Sequence, residues 1–259
     1  MAAINYHTKI LNPGTGKFSA RNQNGIIQSF VASKKNYLFY KRFFDLLFSL
    51  IVILFIMSWL LPIIALLIKI DSAGPVFFLQ KRIGLGGKPF YCIKFRTMTV
   101  NQEADQLQVE NNDSRITRIG KLLRKVNIDE LPQFFNVLIG NMSVVGPRPH
   151  MIADCIRFSF VISSYSFRSL VRPGITGWAQ VNGYHGPTKD YESIIVRYYW
   201  DARYIRKAGF WLDMKIIGIT ILQSIYNSAD AFWHLIQTNK TTSVIAEIHN
   251  TNKAISERG

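Results

Sequence analysis

Two adjacent carboxylates, Asp129 and Glu130, stand in the stretch Asn-Ile-Asp-Glu-Leu-Pro-Gln at 127–133. Such a pair suits chemistry at phosphorus. One carboxylate can help hold a divalent cation while its neighbour attacks the phosphorus or takes a proton. Cations that could grip the phosphate lie close in sequence. Arg124 precedes the pair, and Arg148 is framed by Pro147 and Pro149, which fix the backbone on either side. A guanidinium presents a planar fork of donors that matches phosphate in bidentate fashion. Lys94 and Arg96 flank Phe95 and add two further cations. Taken singly, each has a plainer reading. Asp and Glu favour the first turn of any helix, and an isolated arginine is as often a surface charge as a ligand.

The pattern around the pair predicts the elements that hold it. A helix starting at Asp129 would use Asp as its N-cap and tolerate Pro132 in its first turn. Exposed N–H groups at that helix end would favour a phosphate nearby. Phe134, Phe135, Val137, Leu138 and Ile139 form its apolar face, and Gly140 ends it. Before it, Ile116, Ile119, Leu122, Leu123 and Val126 recur at helical spacing. Arg115, Arg118, Lys121 and Arg124 occupy the other faces. That amphipathic basic helix could pack on the core, lie on a membrane, or both. Val76–Leu79 and Pro89–Ile93 read as two strands joined by a turn at Gly84–Gly87, and Met142–Val145 as a third short strand. Helical patterns follow from 151 to about 165, from 190 to 204, and from 211 to 233, the last with Trp at both ends as suits an interfacial position. Residues 101–114 are acidic and amide-rich, an exposed loop or helix.

Leu46–Ile68 is a run of 23 residues without charge, long enough for a membrane element. Pro62 sits inside it and removes a backbone hydrogen bond, which favours a kink or break near Ser58–Pro62. Lys41 and Arg42 precede the run and Lys69, Lys81 and Arg82 follow it, so the positive-inside rule finds no asymmetry. A helix that enters the bilayer, breaks and returns fits both facts. A proline-kinked span fits them equally well.

The chain of 259 residues carries 31 Lys+Arg against 16 Asp+Glu, a formal charge of +15, which calls for a polyanionic partner. Nucleic acid, anionic lipid and a phosphorylated substrate all qualify by charge. The apolar run favours the last two, because a nucleic-acid binder has no use for it. Cys92 and Cys155 are far apart and match no metal pattern, and the five histidines are scattered. The first residues lack the apolar core of a signal peptide.

Several ordered stretches together carry a resemblance. Lys41-Arg42-x-x-Asp45, the segment Asp-Ser-Ala-Gly-Pro-Val-Phe-Phe-Leu-Gln-Lys-Arg-Ile-Gly at 71–84, and Lys-Phe-Arg-Thr-Met at 94–98 are similar to the bacterial sugar transferases. These are the monotopic polyprenyl-phosphate phosphoglycosyl transferases. Ile-Asp-Glu-Leu-Pro-Gln-Phe-Phe-Asn-Val-Leu at 128–138, Met-Ser-Val-Val-Gly-Pro-Arg-Pro-His at 142–150 and Arg-Pro-Gly-Ile-Thr-Gly-Trp-Ala-Gln-Val-Asn-Gly at 172–183 continue the match. The resemblance covers roughly residues 38 to 222. It implies transfer of a sugar 1-phosphate from a UDP-sugar to undecaprenyl phosphate with release of UMP, as the first membrane step of a surface glycan. It assigns the covalent nucleophile to Asp129, Mg2+ to Asp129 and Glu130, and phosphate binding to Arg124 and Arg148, with Lys94 and Arg96 as further substrate contacts. It makes Lys41, Arg42, Ser58 and Pro62 parts of a re-entrant membrane element broken at the proline. His150 and the segment Asn-Gly-Tyr-His-Gly-Pro-Thr at 182–188 lean toward members that transfer glucose or galactose phosphate. Ile128 stands where the family usually has Leu, and Asn141 where Asp is common.

The expected fold is therefore α+β and mostly helical, with one re-entrant helix, amphipathic interfacial helices and a small β element. A polar flexible extension at 1–37 leads into the membrane helix at 38–70. A catalytic domain on the cytoplasmic face of the inner membrane spans 71–236, and a disordered tail spans 237–259. Membrane lipids, the UDP-sugar and undecaprenyl phosphate are the expected partners, nucleic acid is not, and a homodimer is compatible with the sequence. The rival reading is a non-catalytic membrane protein that recruits partners through its basic surface.

Overall fold

The computed structural model describes residues 33–99, 113–184, 186 and 190–229. The expected polar extension falls almost wholly outside them. So do most of the acidic segment at 101–114, part of the 182–188 segment, the Trp233 end of the last helix, and the tail.

The apolar run forms α1 (Lys35–Val52), a wide π-helical turn at Ile53–Met57, and α2 (Ser58–Asp71). The expected interruption at Ser58–Pro62 is not a loss of helix. Val52, Ile53, Met57 and Ser58 all keep right-handed helical dihedrals, and Pro62 lies within α2. The irregularity sits one to two turns earlier, where the π turn widens the spiral. Carbonyls there receive side-chain donors: the Ser58 hydroxyl gives to Leu54 O at 2.6 Å and the Trp59 indole to Phe55 O at 2.9 Å. In an apolar setting each such acceptor needs a partner. The helix is two-faced. Asp45, Ser49, Val52, Met57, Ile64 and Ile68 are buried against protein, while Leu47, Leu50, Phe55, Trp59, Leu66 and Ile70 stay exposed. An exposed apolar stripe of that length is long and apolar enough to serve a membrane-associated helix.

β1 (Phe77–Ile83) and β2 (Pro89–Phe95) form an antiparallel hairpin with Gln80 opposite Cys92. Both strands run further than the sequence suggested, carrying Lys94 into the sheet. α3 (Arg118–Lys125) is capped by Thr117, whose Oγ1 accepts from Gly120 N at 3.0 Å. After a left-handed residue at Asn127, a single 3-10 turn (Ile128–Glu130) holds the carboxylate pair, and α4 (Gln133–Ile139) begins only afterwards with Pro132 as its N-cap. This corrects the expectation that Asp129 caps a helix. α4 has seven residues and starts beyond the pair, so its dipole is not what places a phosphate there.

β3 (Ser143–Val145) pairs in parallel with β4 (Gly174–Thr176), a strand the sequence reading did not anticipate. The backbones approach so closely that a Cβ on Gly174 would lie 2.1 Å from Gly146 N, and one on Gly146 would lie 2.4 Å from Arg172 O. Only glycine fits at either place. α5 (Ile152–Val161), a 3-10 stretch (Tyr165–Leu170), α6 (Trp178–Val181), α7 (Tyr191–Lys207) and α8 (residues 210–229) complete the described chain. The main core joins Val52 and Met57 of the membrane element to Phe134, Val137, Val145, Tyr204 and Ile216. A second cluster packs Ile64 and Ile68 against Phe95 and Leu123. Both halves of the long helix thus belong to one folded body.

Candidate active site

The 3-10 turn puts the two carboxylates in different electrostatic settings. Glu130 is clamped. Arg148 donates from Nη1 to Oε2 at 3.0 Å and from Nη2 to Oε1 at 2.6 Å, and Lys94 Nζ reaches Oε1 at 2.7 Å. Burial alone would raise the acid's pKa, but Arg148 and Lys94 overcome it and hold Glu130 well below the usual carboxylate range. In return Glu130 raises the pKa of Arg148.

Asp129 is only 8 % exposed, and no hydrogen bond to its carboxylate is found among the described residues. Burial, with the charge on Glu130 next in importance, pushes its pKa up to about 6; Lys94, Arg124 and Arg148 oppose the rise. One acid is therefore fixed as an anion, and its neighbour is a strained, more basic anion near neutral pH. A nucleophile needs that second condition.

The expected cations separate into two groups. Lys94 and Arg148 meet at Glu130. Arg124, on the last turn of α3, hydrogen-bonds Thr97 Oγ1 at 2.8 Å and Met98 Sδ at 3.5 Å, and it opposes the rise at Asp129 through its charge. Arg96 does something else. Its guanidinium gives to Ala73 O and Ser72 O, each at 2.6 Å, and to Ile68 O at 3.3 Å, closing the C-terminal end of α2. The residue expected at the substrate thus binds backbone carbonyls where the chain leaves α2, with its Nε buried and without a hydrogen-bond partner. Lys41 and Arg42 likewise bind protein: Lys41 pairs with Asp213 at 2.8 Å, and Arg42 caps α4 through Val137 O at 2.8 Å and Leu138 O at 3.2 Å.

Sequence reasoning missed the residues that hold Arg148. Arg168 is buried, pairs with Asp201 through Nε at 2.7 Å, and gives from Nη2 to the Arg148 carbonyl at 2.8 Å. Nη1 of the same guanidinium reaches Tyr165 Oη at 3.1 Å and His150 Nδ1 at 3.2 Å. Asn136 ties α4 to the hairpin, accepting from Ile93 N at 2.9 Å and giving to Tyr91 O at 2.7 Å. Only Asn136 carried a signal, as part of the 128–138 stretch. A cavity of about 110 Å³ has Arg148 in its wall and is lined also by His150, Ile152, Tyr165, Ser166 and Pro173; neither carboxylate of the pair lines it.

This geometry coincides with a sequence likeness: the profile described as bacterial sugar transferase matches residues 36–227. The chain belongs to the bacterial sugar transferase family. A UDP-glucose:undecaprenyl-phosphate glucose-1-phosphate transferase of Klebsiella pneumoniae is 45% identical over 191 residues, 73% of this chain and 41% of the relative. Its namesake in Escherichia coli K12 is 44% identical over the same shares. An exopolysaccharide production protein of Rhizobium leguminosarum is 42% identical over 190 residues, 71% of this chain and 94% of the relative. The chain spans about two-fifths of the length of the first two relatives. In this family member, then, the matched region holds the carboxylate pair, its cations and the long apolar helix together.

Mg2+ usually takes one or two carboxylates and completes its shell with water and substrate phosphate oxygens. Asp129 and Glu130 can meet that requirement, since Asp129 is unpaired and a carboxylate has more lone pairs than the three donors on Glu130 occupy. Among the described residues no set of three His, Cys, Asp or Glu side chains forms a closed metal cage.

Proposed function

We propose that the chain transfers a sugar 1-phosphate, with glucose or galactose favoured, from a UDP-sugar to undecaprenyl phosphate, releasing UMP. The observation that carries the reading is the split pair: a buried, unpaired Asp129 of raised pKa beside a Glu130 locked to Arg148 and Lys94. An Asp129 oxygen attacks the β-phosphorus, and the bond from that phosphorus to the bridging oxygen breaks, so UMP leaves with the oxygen. A phosphate oxygen of the lipid then attacks the same phosphorus and displaces the carboxylate. Two displacements let a soluble and a lipid substrate use one site in turn. Arg148 and Arg124 steady the charge on the phosphates. Mg2+, held by Asp129 and Glu130, would offset the negative charge of the diphosphate.

The same reading makes the membrane helix re-entrant, with the domain on the cytoplasmic face of a bacterial inner membrane. It is supported by the contacts at the two helix ends. Lys41 and Arg42 bind Asp213 and α4, while Asp71 accepts from Ile119 N at 3.0 Å and Arg96 closes α2. A straight helix of 37 residues would be about 55 Å long, well beyond a hydrocarbon core of about 30 Å. One domain cannot grip both ends from opposite faces of a bilayer, and the wide turn at Ile53–Met57 with Pro62 after it is where the helix would bend.

The test is UMP release in lipid nanodiscs with undecaprenyl phosphate, Mg2+ and a panel of UDP-sugars, beside Asp129→Asn. Release with one donor, absent in the variant, together with a labelled sugar phosphate trapped on the wild-type chain, is the expected result. Full activity in Asp129→Asn would remove the nucleophile from that residue.

A further inference from the structure

Arg197 of α7 is a buried guanidinium with few partners. The residue is 7 % exposed, and of its five N–H groups one is bonded, from Nη2 to Gly186 O at 2.6 Å. Its Nε is sealed from solvent without a partner; Nη1 also lacks one among the described residues, yet keeps accessible surface. The acid on the same face is taken. Asp201 stands one helical turn further along, where positions i and i+4 adjoin, but its carboxylate accepts from Arg168 Nε at 2.7 Å. Arg168 gives in turn to the Arg148 carbonyl at 2.8 Å, which ties α7 to the loop that presents Arg148.

Charge does not balance here. Arg168, Arg197, Arg82 and Arg148 lie close enough to His150 that their charges, after burial, push its pKa well down, and the ring stays neutral. Two of these four arginines have an ion-pair partner: Arg148 has Glu130, and Arg168 has Asp201. Arg82 rests on neutral acceptors, Gln80 Oε1 and Pro149 O, each at 3.1 Å. Arg197 has Gly186 O alone. Burial, followed by the charges of Arg168 and Arg148, pushes its pKa down to about 10, so it is still a cation at neutral pH. A buried charge without a counter-ion is costly, and a bound anion removes that cost. A guanidinium suits phosphate oxygens, and the charges of Arg168 and Arg148 add to the field that draws an anion toward it. Both substrates of the reaction proposed above carry phosphate. Resting on that reading for the identity of the anion, we propose that Arg197 Nη1 binds a phosphate oxygen, making Arg197 a third phosphate-binding residue beside Arg124 and Arg148.

Calorimetric titration of the protein in nanodiscs with inorganic phosphate, UMP and farnesyl phosphate tests this, in wild type and in Arg197→Gln. Losing a charged hydrogen bond should weaken at least one of the three by about ten-fold or more. Loss with UMP alone assigns the site to the nucleotide, loss with farnesyl phosphate alone to the lipid phosphate, and loss with all three to the group they share. Because glutamine removes an uncompensated charge, the variant without ligand should melt no lower than wild type. Arg197→Lys, which keeps the charge but not the fork, should bind with intermediate affinity. If every affinity of Arg197→Gln stays within about ten-fold of wild type, the inference is overturned. Should Arg197→Gln melt well below wild type or not fold, Arg197→Lys decides: wild-type affinities, or no folded protein, mean that Arg197 braces the fold, and the inference falls. Failure of the underlying reading looks different: wild type would bind phosphate through Arg197 and release no UMP from any UDP-sugar.

Discussion

Asp129→Asn should make the folded protein more stable while abolishing its activity. Burial beside Glu130 pushes the Asp129 pKa up to about 6 when folded, against about 3.9 in an unfolded chain. Above pH 6 the unfolded chain carries this charge in water, whereas the folded chain carries it buried and beside Glu130. The penalty is the pKa difference at 1.36 kcal/mol per unit, about 3 kcal/mol. It is fully present above pH 6, fades as pH falls through 6, and is gone below about 4. The neutral amide avoids it. In nanodiscs at pH 8, Asp129→Asn should therefore melt higher than wild type by roughly 6–12 °C, taking about 2–4 °C per kcal/mol for a chain of this size. The gap should close as the pH is lowered to 4.5. Using the change in the gap cancels every other group that titrates in both proteins. The same ionisation governs the chemistry, so wild-type turnover should fall as pH drops below 6. A variant that melts no higher than wild type at pH 8, or a gap independent of pH, would refute the account of Asp129 as a strained buried anion.

Glu130→Gln removes the anion between Arg148 and Lys94 and leaves two part-buried cations facing each other; it should cost about 3–5 kcal/mol in thermal stability as well as activity. Arg96→Met strips the donors from the end of α2, so the melting temperature should drop by several degrees while KM for the UDP-sugar stays within about three-fold; a large rise in KM with unchanged melting would restore Arg96 to the substrate. Gly174→Ala places a Cβ 2.1 Å from Gly146 N and should prevent the β3–β4 pairing, read as loss of folded protein after detergent extraction.

The carboxylate pair was legible in the sequence because it sits in a short, dense stretch of chemistry with Arg124 before and Arg148 after. Its setting was not. The Asp-Glu-Leu-Pro pattern fits a helix start as well as the 3-10 turn that forms, and only the left-handed Asn127 and the late start of α4 separate them. β4 was hidden because Gly174–Thr176 is three residues long and gains its place from a partner 31 positions earlier. Arg96 reads as a companion of Lys94 because the two alternate along an extended stretch at the end of β2, and nothing local shows that the end of α2 lies beside it. Arg168 and Asp201, 33 residues apart, meet only in the folded chain. The long apolar helix was plain from composition, whereas its wide turn depends on how Ser58 and Trp59 turn back to the carbonyls before them.

The pairing of Lys41 with Asp213 has a bearing on how such a chain is made. These residues are 172 positions apart, and Asp213 also receives the hydroxyls of Tyr37 and Tyr204, at 2.9 Å each. Asp45, 2 % exposed, is satisfied by the amide of Val144 at 3.0 Å. During synthesis the apolar helix leaves the ribosome before its partners, Val144 following Asp45 by 99 residues and Asp213 following Lys41 by 172. Membrane docking and closure of the domain are in this sense one late event, completed by α8. Cutting the helix away to obtain a soluble fragment would not trim an anchor; it would withdraw a strut around which the last third of the chain is assembled.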